Sequence, residues 1–297
     1  MIEVAQLRKT YADGTEALRG VTLSFGEGMA GLLGPNGSGK TTLLEILVLG
    51  LEPSSGRLSY GGLDPARPRD RAEIRRRIGY VPQEFHPIGC LTGIEYLLHC
   101  ARLRGVRESG RALRRRAEGL LAEVGLREAA RRRSGEYSRG MGRRLAIAQA
   151  LLHAPALLVV DEPTAGLDPE ERIHFRNLVA EVADTTAVLL STHIVEDVEA
   201  TCPRLVVIGR GAILFDGPPT DLLRAAEGKL FLLPAGSPLP PGATAVSRRM
   251  GAAGGLQTVV HSERPVAGAQ LREPVLEDAY AAFLALRGIA AHEEGAA

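Results

Sequence analysis

The stretch Gly34-Pro35-Asn36-Gly37-Ser38-Gly39-Lys40-Thr41 decides the fold, because it fits the pattern GxxxxGK(S/T) at every required position. It follows the short apolar run Met29–Leu33 and precedes residues 41–51, whose apolar side chains have helical spacing. In such a strand–loop–helix unit the glycines let backbone N–H groups turn inward around an anion, and the helix N-terminus adds a partial positive charge. The stretch therefore predicts a loop that binds the phosphates of a nucleotide.

Two side chains of this loop have predicted roles. Lys40 can reach the β- and γ-phosphates, and the Thr41 hydroxyl can bind Mg²⁺. Lys40 is one of only three lysines among the 36 basic residues of the chain, the others being Lys9 and Lys229. Because chance would seldom put so rare a residue at the one position where the pattern needs it, we interpret the match as functional.

An acidic pair follows a second apolar run. Residues 156–160 read Ala-Leu-Leu-Val-Val, as a buried strand should, and Asp161 and Glu162 come directly after them. The carboxyl ends of parallel strands meet in one crevice, so the pair is expected to face the phosphate loop. There Asp161 can hold Mg²⁺, and Glu162 is suited to polarise the attacking water as general base.

Length and composition limit the classes of protein. The chain has 297 residues, of which 45% are hydrophobic and 24% are charged, as in an ordinary globular protein. Its net charge of +1 gives no reason to expect nucleic acid as the main partner, and its arginine clusters are interpreted as solvated faces. Three cysteines form no ligand pair. No apolar run approaches the roughly 18–20 residues of a membrane span, and no signal peptide is indicated.

The pattern along the chain predicts an α/β protein in two parts. Residues 1–26 alternate apolar and polar side chains, which indicates antiparallel strands, and a helical subdomain is predicted over about residues 84–154. We assign residues 1–228 to the main domain. Residues 229–297, where Pro, Gly and Ser become frequent before a final helix over 274–286, are assigned to a small C-terminal accessory region.

Capping signals predict where three helices begin. Thr92 and Glu95 form a capping box, and Ser138 can cap a helix that stops before the proline at position 155. Asp168, followed by a proline, is an N-cap candidate, and Glu171 is predicted to complete a second box.

Four further motifs follow in order along residues 1–228. They are Gln83, the stretch Tyr137-Ser138-Arg139-Gly140-Met141, the stretch Gly166-Leu167-Asp168, and His193. Taken together with the phosphate loop and the acidic pair, they resemble the nucleotide-binding domain of ATP-binding-cassette (ABC) transporters. The resemblance implies an α/β P-loop NTPase fold with an antiparallel β subdomain, a helical subdomain and a small C-terminal appendage.

The resemblance also assigns roles to residues. Gln83 is similar to the Q-loop glutamine, His193 to the switch histidine that binds the γ-phosphate, and Tyr11 to the aromatic residue that stacks on adenine. The stretch at 137–141 resembles the LSGGQ signature, and the stretch at 166–168 resembles the D-loop. The implied nucleotide-binding residues are Tyr11, Gly34, Pro35, Asn36, Gly37, Ser38, Gly39, Lys40, Thr41, Thr42, Ser138 and Gly140. The implied Mg²⁺ ligands are Thr41, Gln83 and Asp161, and the implied catalytic residues are Glu162, His193 and Gln83.

In this family two cassettes pack head to tail, so that the signature of one closes over the ATP of the other and hydrolysis lets them part. Ser138 opens a helix, so its hydroxyl and the nearby N–H groups are predicted to form the second anion site. Arg139 replaces the first glycine of the signature. Its cation can stabilise charge or obstruct closure, so we expect ATP hydrolysis at a reduced or partner-dependent rate.

The partners are also implied by the resemblance. A single cassette without membrane spans resembles the ATPase of type-2 exporters, in which the permease is a separate chain, and residues 273–280 resemble the run that closes many such subunits. We therefore expect a bacterial cytoplasmic ATPase, peripheral on the inner face of the cell membrane. It would energise a separate permease and pair with an identical or different cassette.

Two alternatives from other classes stay open at this point. One is a soluble ABC ATPase that acts on ribosomes or DNA, although the chain has no second cassette, heptad run or zinc hook. The other is a nucleotide-sensing cassette with weak turnover, which the altered signature at Arg139 favours.

Overall fold

The computed structural model of the chain describes residues 1–164, 167–234, 236–251 and 254–289. The strands in these ranges are β1 (Ile2–Thr10), β2 (Glu16–Phe25), β3 (Met29–Leu33), β4 (Ser55–Tyr60), β5 (Ile78–Val81), β6 (Leu157–Asp161), β7 (Ala187–Thr192), β8 (Arg204–Gly209), β9 (Ala212–Gly217), β10 (Leu230–Pro234), β11 (Thr244–Met250), β12 (Leu256–His261) and β13 (Gln270–Leu271). The helices are α1 (Lys40–Leu47), α2 (Pro68–Arg77), α3 (Gly93–Leu103), α4 (Gly110–Glu123), α5 (Arg139–Leu151), α6 (Pro169–Ala183), α7 (Val195–Thr201), α8 (Pro219–Ala226) and α9 (Leu276–Ala285).

A six-stranded sheet in the order β5-β6-β7-β3-β8-β9 forms the centre of the molecule. All its strands run parallel except β9, which pairs antiparallel with β8. Strands β3 and β6 are buried along their whole length, as expected for apolar strands that are covered on both faces. Because the parallel strands share one direction, the segments that follow β3, β6 and β7 all leave the same edge of the sheet.

The antiparallel subdomain is a three-stranded sheet in the order β2-β1-β4. Ile2 pairs with Phe25 on one side and with Tyr60 on the other, and buried residues alternate with exposed ones at the start of β1. The buried face joins α1 and one face of the central sheet in a second apolar core. The alternation of apolar and polar residues in the sequence thus corresponds to a sheet with one solvent-exposed and one buried face.

The helical region contains α3, α4 and α5, which pack on one another through buried side chains such as Leu97, Leu121 and Leu145. The capping box at Thr92 and Glu95 is present in both directions. Helix α5 begins as predicted, because the Ser138 side chain accepts a hydrogen bond from the backbone N–H of Met141 at 3.2 Å.

Two details of the helices differ from the predictions. Helix α1 ends at Leu47, not at residue 51, because Leu49 adopts a left-handed backbone with φ of 59°. Asp168 caps α6 through the N–H of Glu171 at 2.8 Å, but Glu171 does not complete a box. Its carboxylate instead lies against Gly140 at the start of α5, where the positive end of that helix favours an anion.

The C-terminal region contains a four-stranded antiparallel sheet in the order β11-β12-β10-β13, which the sequence analysis did not predict. Helix α9 is two residues shorter at its start than the predicted helix and packs on α7, α8 and β11. Buried residues of this region, including Leu230, Val259 and Leu276, belong to the same apolar cluster as the helical region. Within the described ranges, no helix combines the length and apolar character that a bilayer crossing requires.

Candidate functional site

A cleft of about 670 Å³ opens where β3, β6 and β7 end. Ten of the predicted site residues line it, and six residues that the sequence analysis did not name complete its wall. The predicted ones are Asn36, Gly37, Ser38, Gly39, Lys40, Thr41, Thr42, Gln83, Glu162 and His193. The others are Thr15, Glu16, Ala17, Arg19, Arg210 and Gly211. The cleft therefore unites motifs that are far apart in the sequence.

The phosphate loop owes its shape to glycines at crowded or left-handed positions. A Cβ atom on Gly34 would lie 2.3 Å from the carbonyl oxygen of Ile208, so only glycine fits there. Gly39 has φ of 104°, and a Cβ atom at this position would lie 2.6 Å from the carbonyl oxygen of Ala17. These contacts press the loop against β8 and against the antiparallel subdomain, which fixes the start of α1 below the cleft.

Lys40 is nearly buried, with 6% of its surface exposed. Its Nζ atom donates hydrogen bonds to the backbone oxygens of Gly34 at 2.5 Å and Pro35 at 3.1 Å. Burial lowers the pKa of its ammonium group, and the nearby Glu162 and Asp161 carboxylates oppose that shift. A buried ammonium that is bonded only to carbonyl oxygens is well placed to exchange them for phosphate oxygens.

The acidic pair lies at the end of β6 as predicted. Asp161 is 2% exposed, and burial raises the pKa of its carboxyl group. Glu162 has a left-handed backbone with φ of 42°, and its N–H donates to the oxygen of Ser191 at 2.9 Å. Such a conformation is costly for a residue with a side chain, and it aims the Glu162 carboxylate into the cleft.

His193 completes this edge of the cleft. Strands β6 and β7 pair with Asp161 beside Ser191, so the residues that follow them, Glu162 and His193, leave the sheet close together. The Nδ1 atom of His193 lies 3.0 Å from the Oε2 atom of Glu162. The histidine is about half exposed, so its ring is open to a ligand in the cleft.

The residues that line the cleft, together with the buried Asp161 at the end of β6, fit a triphosphate and a divalent cation. The hydroxyl of Ser38 is buried and has no hydrogen-bond partner among the residues that the structure describes, as suits a donor reserved for an anion. Thr41, Gln83 and Asp161 offer hydroxyl, amide and carboxylate oxygens, which are the donors that Mg²⁺ takes together with water and substrate phosphates. These three residues would hold the ion.

Gln83 connects the cleft with the helical region. It follows β5, is exposed, and lines the cleft. The carbonyl oxygen of the preceding Pro82 accepts a hydrogen bond from Nη1 of Arg143 at 3.0 Å. Arg143 belongs to α5, so the segment of Gln83 is tied to the helix that carries the signature.

Tyr11 is not among the residues that line the cleft. Its hydroxyl lies 3.1 Å from the Thr42 hydroxyl, and the Lys9 ammonium lies 5.5 Å from the centre of its ring. Its role in adenine stacking stays a prediction. The turn between β8 and β9 does line the cleft, and there Gly211 donates to the oxygen of Ser38 at 2.9 Å and accepts from the N–H of Arg19 at 2.8 Å.

Ser138 and Gly140 do not line this cleft. Ser138 is the exposed N-cap of α5, whereas Gly140 is buried in its first turn, where the Glu171 carboxylate lies against it. Of the D-loop motif, Gly166 lies outside the described residues, whereas Leu167 donates to the oxygen of Thr164 at 3.2 Å and Asp168 caps α6. The signature therefore has no part in the cleft of its own chain.

Comparison with known proteins agrees with this geometry. Residues 18–165 match the ABC transporter family. The chain is 40% identical to the daunorubicin resistance ATP-binding protein DrrA2 of Streptomyces coeruleorubidus, over 76% of this chain and 70% of that protein. It is 38% identical to the phosphonates import ATP-binding protein PhnC 1 of Rhodopseudomonas palustris (strain BisB18), over 75% of this chain and 86% of that one.

A solved structure is similar over the same region. It is the dimeric, post-hydrolysis state of the ATP-binding cassette MJ0796 bound to ADP and Pi, with a TM-score of 0.66 and 28% sequence identity, over 73% of this chain and 98% of that one. The phosphate loop, Glu162 and His193 meet in one cleft on this fold. The chain therefore belongs to the ABC transporter family, as an ATP-binding subunit with ATPase activity.

Proposed function

We propose that the chain binds Mg²⁺-ATP in this cleft and uses its hydrolysis to drive a separate membrane permease. The observation that carries the proposal is the convergence of Lys40, Glu162 and His193 on one cleft, with the buried Asp161 carboxylate near enough to Lys40 to influence its pKa. Lys40 and the loop N–H groups would hold the β- and γ-phosphates, and Asp161 with Thr41 and Gln83 would hold Mg²⁺. When bound, the ion neutralises charge that develops on the phosphates.

The chemical step follows from the position of Glu162. Its carboxylate accepts a proton from the attacking water, and His193, whose ring is open to the cleft, donates a hydrogen bond to the γ-phosphate. The 3.0 Å contact between Glu162 and His193 holds both side chains at the same edge of the cleft. The γ-phosphate would thus lie between Glu162 and His193 on one side and the hydrogen-bond donors of the phosphate loop on the other.

A second cassette is part of the proposal. Ser138 caps α5 on an exposed surface, Gly140 is buried in the first turn, and neither residue lines the cleft of its own chain. A phosphate would therefore meet this signature only from another molecule. The name of the MJ0796 structure describes a dimer of such cassettes with ADP and Pi. We propose that this chain also forms a dimer, that its two cassettes pair head to tail, and that the γ-phosphate drives their closure.

Export is the direction that we propose for transport, with the subunit on the inner face of the cell membrane. The resistance protein DrrA2 is 40% identical to this chain, and a resistance function suits outward movement of a toxic compound. The import protein PhnC 1 is nearly as similar, so the partner permease decides the direction. We assign residues 1–228 to the ATPase cassette and residues 229–297 to an accessory region that packs on α7 and α8.

The experiment is an ATPase assay with and without the co-purified permease. The chain is expressed with an affinity tag in its native host, and its membrane partner is identified and reconstituted in vesicles. ATP hydrolysis that rises with the permease and is abolished by Glu162→Gln would support the proposal. Co-purification with ribosomes or DNA and no membrane protein would contradict it.

A further inference from the structure

Asp197 is a buried carboxylate that lies outside the cleft. It belongs to the first turn of α7 and is 1% exposed. It accepts a hydrogen bond from the Thr164 hydroxyl at 2.5 Å and one from Nε of Arg172 at 2.8 Å, and Nη1 of Arg176 lies 3.7 Å away. A carboxylate so far from water is retained only where its partners fully satisfy it.

These contacts join two segments that already meet in the active site. Thr164 follows Glu162 by two residues, and Asp197 follows His193 by four. The segment after β6 and the segment after β7 are therefore linked twice, once by Glu162 with His193 at 3.0 Å and once by Thr164 with Asp197 at 2.5 Å. The second link is the buried one of the two.

The backbone of Glu162 explains why a second link is needed. Its φ of 42° is unfavourable for a residue with a side chain and persists only where the surrounding structure holds it. Thr164 lies two residues further along and is fixed by Asp197. Arg172, in the first turn of α6, donates to the same carboxylate. The start of α6, which follows the D-loop, is therefore also fixed to Asp197.

We propose that Asp197 is a positioning residue for ATP hydrolysis. Through Thr164 it keeps the Glu162 carboxylate and the His193 ring in their mutual arrangement, and through Arg172 it makes the start of α6 move with the switch histidine. Asp197 touches neither the nucleotide nor the water. Its effect is on the chemical step and not on the affinity for ATP, because the phosphate loop is held by contacts of its own, Gly34 against Ile208 and Gly39 against Ala17.

A matched control variant distinguishes a positioning role in catalysis from a contribution to folding stability alone. Asp278 in α9 is likewise buried, at 5% exposed, and accepts from Arg272 at 2.6 Å, but it lies in the accessory region. In the full-length protein, Asp197→Asn is expected to lower kcat about tenfold or more while the KM for ATP changes less than about twofold, since a small misplacement of catalytic groups is costly. Asp278→Asn is expected to lower Tm with kcat unchanged.

Substitution of Thr164 provides a second test, because it leaves the buried Asp197 carboxylate paired with Arg172. Thr164→Val removes the hydroxyl and is expected to reproduce the kcat defect, whereas Thr164→Ser keeps the hydroxyl and is expected to restore kcat. Normal kcat in Asp197→Asn and Thr164→Val, or an equal loss of kcat in Asp278→Asn, would overturn the proposal. A defect confined to KM in the Asp197 and Thr164 variants would also overturn it.

Discussion

The Nδ1 atom of His193 lies 3.0 Å from the Oε2 atom of Glu162, across the ends of two neighbouring parallel strands. In the parallel pair β6 and β7, Asp161 lies beside Ser191, so that Glu162 and His193, the first residues after the two strands, leave the same edge of the sheet. Strand pairing thus brings the predicted general base and the predicted phosphate-binding histidine close together, and the left-handed backbone of Glu162 aims its side chain into the cleft.

Replacement of Glu162 by glutamine tests the base. The amide keeps the size of the side chain but cannot take a proton from water, so we expect ATP hydrolysis to fall by about 100-fold or more. ATP binding is expected to persist, because Lys40 and the phosphate loop are unchanged. Phosphate release at saturating ATP, together with binding of a fluorescent ATP analogue, measures the two effects. Hydrolysis within threefold of the unmodified protein would exclude Glu162 as the base.

Lys40→Met is expected to abolish nucleotide binding, because it removes the ammonium that would bind the phosphates. Lys229→Met is the matched control, since Lys229 forms an exposed ion pair with Glu263 at 3.1 Å, away from the cleft. Equilibrium binding of a labelled ATP analogue should lose its signal in the first variant and keep it in the second. Equal affinity in the two variants would contradict the role of Lys40.

Gly34→Ala tests the crowding under the phosphate loop. Its Cβ atom would lie 2.3 Å from the carbonyl oxygen of Ile208 in β8, so β3 and β8 must separate. We expect a loss of about 1–3 kcal/mol in the free energy of unfolding, together with weaker ATP binding.

Gly119→Ala is the control for that substitution. Gly119 lies inside α4 with nothing within 4 Å of an added Cβ atom, and alanine there should stabilise the helix by about 0.5–1 kcal/mol. Urea unfolding of both variants gives the comparison. A stable Gly34→Ala protein that binds ATP normally would show that the loop tolerates the side chain.

His153 predicts how stability depends on pH. Its Nε2 atom lies 2.9 Å from the oxygen of Ile78, and its Nδ1 atom is buried with no hydrogen-bond partner in the described part of the chain. Burial together with the nearby Arg104 lowers the pKa of the imidazole below 6.5. The unfolded chain therefore binds a proton at a higher pH than the folded chain does. The free energy of unfolding should fall as the pH drops through about 6.5.

Chemical denaturation of the His153→Gln variant between about pH 7.5 and 5.5 measures this contribution. The variant is expected to lose less stability across that range than the unmodified protein loses. Part of the dependence should remain, because burial also lowers the pKa of His261. Identical pH profiles for the two proteins would show that His153 does not contribute.

Arg139→Gly restores the glycine that the family signature carries at this position. We expect the basal and the permease-stimulated ATPase rates to change, because the proposed head-to-tail pairing would bring the guanidinium beside the γ-phosphate bound by the partner. Steady-state phosphate release with and without the permease is the measurement. If both rates stay the same, Arg139 does not tune closure of the dimer.

Local signals predicted much of the fold and of the site. The phosphate loop, the acidic pair and the caps at Thr92 and Ser138 each depend on residues within one short stretch, and the structure has them where the sequence indicated. The likeness to solved ABC cassettes confirms the fold class. Helix α1 was predicted too long because apolar spacing continues past Leu47, where the backbone of Leu49 turns left-handed.

Features that arise from distant pairing could not be predicted. Arg210 and Gly211 reach the cleft only because the turn between β8 and β9 lies on Ser38 and Arg19. Pro- and Gly-rich turns separate the strands β10 to β13, and because of these turns the sequence pattern did not indicate a sheet. Asp197 looked like an ordinary helix carboxylate, since its burial depends on Thr164 and Arg172, which lie far away in sequence.

The place of β3 in the central sheet has a consequence for synthesis of the chain on the ribosome. Its residue Ala30 pairs with Leu189 on one side and with Arg204 on the other, roughly 160 to 170 residues later. At translation speeds of about 5–20 residues per second, roughly ten to thirty seconds pass between the synthesis of β3 and the synthesis of the strands that pair with it. Until they emerge, the apolar strand under the phosphate loop has no partner, so an interrupted or stalled chain is exposed to aggregation before it can bind ATP.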